Sequence, residues 1–225
     1  MNRQDVLTKI RAAFKNHLGA NSKKAKALVP QSVLAGKLYE AFVLSEVVER
    51  LKIDEGYFLQ LTHGRSLRLK MSPGPINRQY PHIDLIKNGK KEAELWTDVE
   101  FLSLSYSKSP TRIATRADYH ELDIIITDPD IPTRGRPSFS QIWLGIECKN
   151  ISVQKNKDVL RSILGVRREM SLLQGSQTTR FSKWPQTEVP ADPSSCLVVF
   201  CSDYQINDFT EPGKFFGIRF IHLPM

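Results

Sequence analysis

Cysteine is scarce in this chain: Cys148, Cys196 and Cys201 are all that 225 residues contain. They form no CxxC pair and no histidine stands at ligand spacing beside them, which excludes a disulfide framework and a zinc site. All three sit in apolar, strand-like runs, as small buried hydrophobes do in a reducing cytosol, so a cytoplasmic location is expected. Long apolar stretches are also missing. No run approaches the roughly 20 residues that cross a bilayer, and "MNRQDVLTKIRAAFKNHL" carries charge throughout, unlike a secretory signal. No membrane partner is expected. Low-complexity tracts and internal repeats are absent too, which excludes solenoids and arrays. The five histidines (His17, His63, His82, His120, His222) show no metal or triad spacing.

What remains is the composition of a globular protein, 40% hydrophobic and 25% charged, with a net charge of +8. That charge is uneven. Residues 1–30 and 60–91 carry +6 each, whereas residues 92–150 carry −4. Basic flanks around an acidic centre suit a polyanionic partner, with a metal ion between carboxylates and phosphate.

The periodicity predicts an amphipathic helix over residues 3–18, with the basic segment 1–30 as an N-terminal arm before a single α/β domain over 31–225. A second helix is expected from about Ser32 to Lys52, with Leu34, Leu38, Phe42, Val48 and Leu51 as its stripe. "HIDLIKNGKKEAELWTDVEFLSLSY" reads as strand, Asn88-Gly89 turn, strand. "ELDIIITD" and "IWLGIECK" read as a hairpin across a Pro/Arg/Gly loop. A helix follows over about 156–174, then a long polar loop, then the strands "CLVVFCSD" and "KFFGIRFIHL". Continuously apolar strands imply a sheet covered on both faces, hence a mixed sheet flanked by helices.

The strand "IWLGIECK" ends on Glu147 and Lys149, which share a face because alternate strand residues do. Glu147-Cys148-Lys149 is the only Asp/Glu-x-Lys triple in the chain. Asp123 opens the preceding apolar strand 24 residues earlier, and a hairpin would bring it to Glu147. Glu40 lies on a largely apolar helix. Asp98 and Glu100 reach the same place only if their strand neighbours it, and Glu121, on the face of Asp123, is a weaker ligand candidate. Asp84, in "PHIDLI", lacks a lysine at the matching distance downstream.

Helix with Glu40, strand, strand with Asp123, strand ending "ECK", helix, strand: in this order the chain resembles the PD-(D/E)xK nuclease superfamily over roughly residues 33–201. Leu122 stands where the family name has proline. The resemblance implies a restriction-endonuclease-like α-β-β-β-α-β core and a metal-dependent endonuclease acting on DNA, of restriction or defence type. It implies Mg²⁺, with Mn²⁺ as substitute, held by Asp123, Glu147, the Cys148 carbonyl and Glu40. Lys149 would orient the attacking water or offset charge on the phosphate. It also implies a homodimer cutting both strands, with a further protein partner conceivable in a multi-component system. Hard oxygen ligands suit Mg²⁺ and leave room for water and phosphate, and such an ion activates its water.

Basic residues that would contact the DNA backbone are Arg112, Arg116, Arg134, Arg136 and Arg161. Arg180 and Lys183 sit in "TTRFSKW", whose interleaved aromatics suit base stacking. Plain alternatives stand beside these: a solvated face for Arg161, and core packing for Phe181 and Trp184. A binding subunit without turnover, or an RNA-directed nuclease, would use the same residues.

Overall fold

The structure, a computed structural model, describes residues 2–18, 35–63, 69–70, 72–108, 112–153 and 158–225. The expected helical start at Ser32–Leu34 lies outside these residues, as does most of the basic link after the first helix.

Helices α1 (Arg3–Leu18) and α2 (Ala35–Ile53) precede strands β1 (Phe58–Thr62), β2 (His82–Lys87) and β3 (Lys90–Leu102). After a short helix α3 (Leu104–Lys108) come β4 (Tyr119–Thr127), β5 (Ile142–Lys149) and helix α4 (Asp158–Met170). Strands β6 (Leu172–Thr178), β7 (Glu188–Asp192) and β8 (Cys196–Cys201), helix α5 (Thr210–Phe215) and β9 (Ile218–His222) complete the order. One seven-stranded sheet runs β1-β2-β3-β4-β5-β8-β9, and β6 and β7 form a separate ribbon. Pairing is antiparallel from β1 to β5 and parallel from β5 through β8 to β9.

Asn88 and Gly89, with φ of 52° and 75°, make the expected turn between β2 and β3. That turn needs positive φ at both positions, which Asn and Gly adopt most easily. The sheet is covered on both faces, and β8 shows it directly. Cys196, Val198 and Phe200 join the layer beneath α1 and α2, while Leu197, Val199 and Cys201 join the layer beneath α4. Gly145 fits the second layer because a Cβ there would sit 2.8 Å from Leu122 Cδ1 and 3.1 Å from Met170 Cε.

Helix α1, in the segment expected as an N-terminal arm, packs by Val6, Ile10 and Phe14 into the same core as α2 and β5. Helix α2 therefore lies between α1 and the sheet, and is buried nearly all round rather than along one stripe. Further on, the helix expected to reach residue 174 ends at Met170, and Leu172 and Leu173 pair with Asp192 and Ala191. Local apolar spacing fits both states, and the partner strand 188–192 is what decides.

The "TTRFSKW" loop is held from within. Phe181 and Trp184 are buried in the core. Glu55, just beyond α2, accepts hydrogen bonds from the Ser182, Lys183 and Trp184 backbone N–H groups and the Ser182 hydroxyl, at 2.6–2.9 Å. Burial alone would raise its pKa, but these backbone donors lower it. The depressed carboxyl stabilises the fold above its ordinary value of 4.5, and that contribution is lost as pH falls through the lower folded value. Glu55→Ala is expected to cost about 3 kcal/mol in urea unfolding at neutral pH, since it orphans the buried Trp184 N–H and removes the charged acceptor of two partly buried ones. The gap between variant and wild type should narrow at acid pH. A gap that is small or indifferent to pH would show that the loop is held by packing alone.

Candidate metal centre

Strands β4 and β5 part at one residue pair. Their ladder runs to Ile124↔Ile146 and stops, leaving Asp123 and Glu147 as the next positions. From there β4 continues with β3 to Leu102↔Tyr119, while β5 continues with β8 to Lys149↔Cys201. Asp123 bridges the fork, its Oδ2 accepting the Cys148 backbone N–H at 2.6 Å. In an extended strand a residue's N–H and C=O point to the same side, so the Cys148 carbonyl also faces the fork.

Asp98 lies opposite Asp123, between the pairs Thr97↔Ile124 and Val99↔Leu122. Its φ is +50°, a conformation that Asp tolerates better than most residues. Strand alternation reverses there. Leu95 and Ile124 pack under α2, whereas Val99 and Leu122 pack on the far side of the sheet. Two carboxylates thus face each other across a ladder, where like charges destabilise. Glu40 of α2 completes the group, and ligand atoms of Glu40, Asp98 and Asp123 lie within 4.8 Å of one another.

Among the described residues, cations that pair with this cluster are fewer than its carboxyl groups. Lys37 Nζ bonds Glu40 Oε2 at 2.7 Å and Asp98 Oδ1 at 2.5 Å, and Lys149 Nζ bonds Glu147 Oε2 at 2.6 Å. Five carboxyl groups (Glu40, Asp98, Glu121, Asp123, Glu147) act on one another around these two amines, with Lys70 adding a weaker pull on Asp98. Burial pushes Glu40 up to about 7 against the opposing pull of Lys37, with Asp123 and Asp98 adding to the rise. Burial also raises Asp98 and Glu147. Lys37 is held up at about 12: burial would lower it, but bonds to Asp98 and Glu40 prevail. Asp98 Oδ2 is buried with no hydrogen-bond partner among the described residues. A crowded, oxygen-only set with an orphaned buried oxygen suits a hard divalent cation.

The expected residues distribute unevenly around this centre. Asp123, Glu40 and the Cys148 backbone converge with Asp98, while Glu147 stands at the fork bound to Lys149 instead of inside the tight group. Glu100 pairs with Glu121 across β3 and β4 and binds Arg136 at 2.7 Å. Arg136 stacks over Tyr119 with its guanidinium 4.4 Å from the ring centroid, and so lines the rim. Arg134 lines the same cavity as Thr97, the residue before Asp98. Arg112 is engaged with Asp118 at 2.5 and 2.7 Å, and Arg116 is exposed in the turn Arg116–Asp118 before β4.

The remaining basic residues do not gather here. Arg161 pairs with Asp158 on the open face of α4, the solvated-face alternative. Arg180 stacks over Trp143 at 5.1 Å, five residues along β5 from Cys148, which is roughly 17 Å of strand. Lys183 is in the same loop, whose aromatics are buried and so offer no stacking platform. Lys37 went unmarked in the sequence, though a lysine three residues before Glu40 on a helix shares its face.

A second group, His82, Asp84 and Glu94, also has ligand atoms within 4.8 Å of one another. Here the charges are already matched. Lys91 binds both Asp84 and Glu94, Arg78 binds Glu94, and Thr62 donates to Asp84. Trp96 Nε1 donates to Glu94 at 3.1 Å, and the Trp96 ring stacks on His82 at 4.0 Å. This network fixes Trp96 and leaves no deficit of positive charge. Among known proteins, no family model, no curated protein and no solved structure matches the chain.

Proposed function

We propose that the chain is a metal-dependent endonuclease that hydrolyses phosphodiester bonds in DNA, with the fork between β4 and β5 as its centre. The observation that carries this reading is the meeting of Asp98, Asp123 and Glu40, with an unpartnered buried oxygen, beside the Glu147–Lys149 pair. The order helix, three antiparallel strands, helix, parallel strand (α2, β3, β4, β5, α4, β8) supports the restriction-endonuclease-like core that the sequence resembles. No helix among the described residues is long and apolar enough to cross a membrane.

Asp98 and Asp123, with Glu40 and the Cys148 carbonyl, would hold Mg²⁺ or Mn²⁺, which prefer such oxygen donors. The bound ion supplies Lewis-acid polarisation and a more acidic water. The chain's own groups do the rest. Glu147 holds the Lys149 ammonium at the fork, where it orients the attacking water or balances charge that grows on the phosphate. Arg134 and Arg136 at the rim engage flanking phosphates. Two copies would be needed to cut both strands of a duplex in one event.

Cleavage of supercoiled plasmid in Mg²⁺ or Mn²⁺, with EDTA as control, tests this reading. Nicking or linearisation that EDTA abolishes is expected. Salt-sensitive DNA binding without cleavage would favour a binding subunit, and cleavage of RNA alone would redirect the substrate.

A further inference from the structure

A cavity of about 470 Å³ adjoins the metal centre, and of its lining residues only Arg134 enters the chemistry above. It arises because β2 covers β3 only as far as Ile83↔Leu95. Gly74 resumes contact with β3 at Val99, its N–H donating to the Asp98 carbonyl. Between them no described residue pairs with the β3 edge at Trp96 and Thr97, and both residues line the cavity. The volume lies within the range of about 300–1,000 Å³ usual for small-ligand sites.

Its lining combines aromatic surface, cations and a free amide. Trp96 is fixed by its stack on His82 and its bond to Glu94, so the second charged network serves as the rigid backing of this wall. Tyr80 is about half exposed at the mouth. Lys70 is partly buried, and among the described residues its ammonium reaches the carbonyls of Pro75 at 3.4 Å and Asp98 at 3.5 Å. Asn77, also in the lining, accepts from the Gln79 N–H through Oδ1, and among the described residues its NH₂ has no partner. Arg134 supplies a second cation.

We propose that this cavity receives one unpaired nucleotide of the DNA substrate, next to the phosphate that is cut. The base stacks on the exposed ring of Tyr80, the Asn77 amide donates to its edge, and Lys70 and Arg134 hold its phosphate. The placement follows from the shared strand: Thr97 lines the cavity, Asp98 belongs to the metal centre, and Lys70 touches the Asp98 carbonyl. The proposal rests on the nuclease reading and adds a substrate class, DNA with an unpaired or extruded nucleotide at the cut.

The test compares fluorescein-labelled duplexes, one fully paired and one with a single bulged nucleotide, by anisotropy in Mg²⁺. A Lys149→Met background keeps the DNA intact. Binding of the bulged duplex about tenfold tighter than the paired one is expected, as one base–aromatic stack would give. Adding Tyr80→Ala should erase the preference without weakening paired-duplex binding, and Tyr80→Phe should keep it. Tyr80 is exposed enough that neither change threatens the fold. Equal binding of both duplexes, or a preference indifferent to Tyr80→Ala, overturns the proposal. Wild-type plasmid cleavage measured alongside shows whether the nuclease reading survives that result.

Discussion

Asp123→Asn should lower metal-dependent plasmid cleavage about a thousandfold while leaving the protein at least as stable as wild type in EDTA. The first half follows from position. Asp123 is the one carboxylate that touches both sides of the fork, opposite Asp98 on β3 and bonded to Cys148 on β5. Its loss removes a charged ligand, and a thousandfold corresponds to about 4 kcal/mol of transition-state stabilisation.

The second half follows from crowding. Asp123 helps to raise the pKa of Glu40, Asp98, Glu121 and Glu147, so without metal its charge works against the fold. Neutralising it relieves that repulsion by about 1 kcal/mol, or about 2–4 °C in Tm for a chain of this size. Mg²⁺ should raise the Tm of wild type through binding to the folded state, and should raise that of the variant far less. Thermal scans with EDTA and with Mg²⁺ check all three statements. A variant that loses activity and stability together, in both conditions, would make Asp123 a structural residue. One that cuts normally would remove the fork from the mechanism.

The parts of this centre that were legible in the sequence are those written locally. An apolar strand ending in Glu147-Cys148-Lys149, a hairpin partner with Asp123, and the Asn88-Gly89 turn all follow from period-2 patterning and turn chemistry. The role of Asp98 does not. Strict alternation cannot foresee that β3 reverses its faces at a residue with φ of +50°, nor that β4 reverses opposite it. The charged loop residues misled for a related reason. Arg180 and Lys183 have the composition of a nucleic-acid contact, but their neighbours Phe181 and Trp184 are committed to the core and Glu55 binds the loop backbone. Only the tertiary partner decides whether an aromatic in a basic loop faces DNA or the interior. The same holds for α1, whose apolar stripe was visible but whose burial depends on the face that α2 presents.

Lys149→Met should reduce cleavage by about 10²–10³-fold, the scale of losing one charged group aimed at the reacting phosphate, while the Mg²⁺-induced rise in Tm persists. The persistence matters, because Lys149 is no ligand in this scheme and its partner among the described residues is Glu147. The stability of the variant should depend on pH in a definite direction. Glu147 is buried, its pKa is already raised by that burial, and Lys149 is the group that opposes the rise. Removing the lysine raises the folded value further above the unfolded one. A carboxyl of this kind costs nothing while protonated in both states, below its unfolded value, and destabilises increasingly as pH climbs from there to the folded value. The variant should therefore approach wild type near pH 4.5, the ordinary value of the group, and fall short by about 3 kcal/mol at pH 8, as for a buried pair robbed of one partner. Adding Glu147→Gln should flatten that dependence without restoring cleavage. Urea unfolding across this pH range, with Mg²⁺ titrations of Tm beside it, separates the roles. Loss of the Mg²⁺ response in Lys149→Met would mean that the lysine shapes the carboxylate cluster, and the group acting on the phosphate would have to be sought at Lys37 instead.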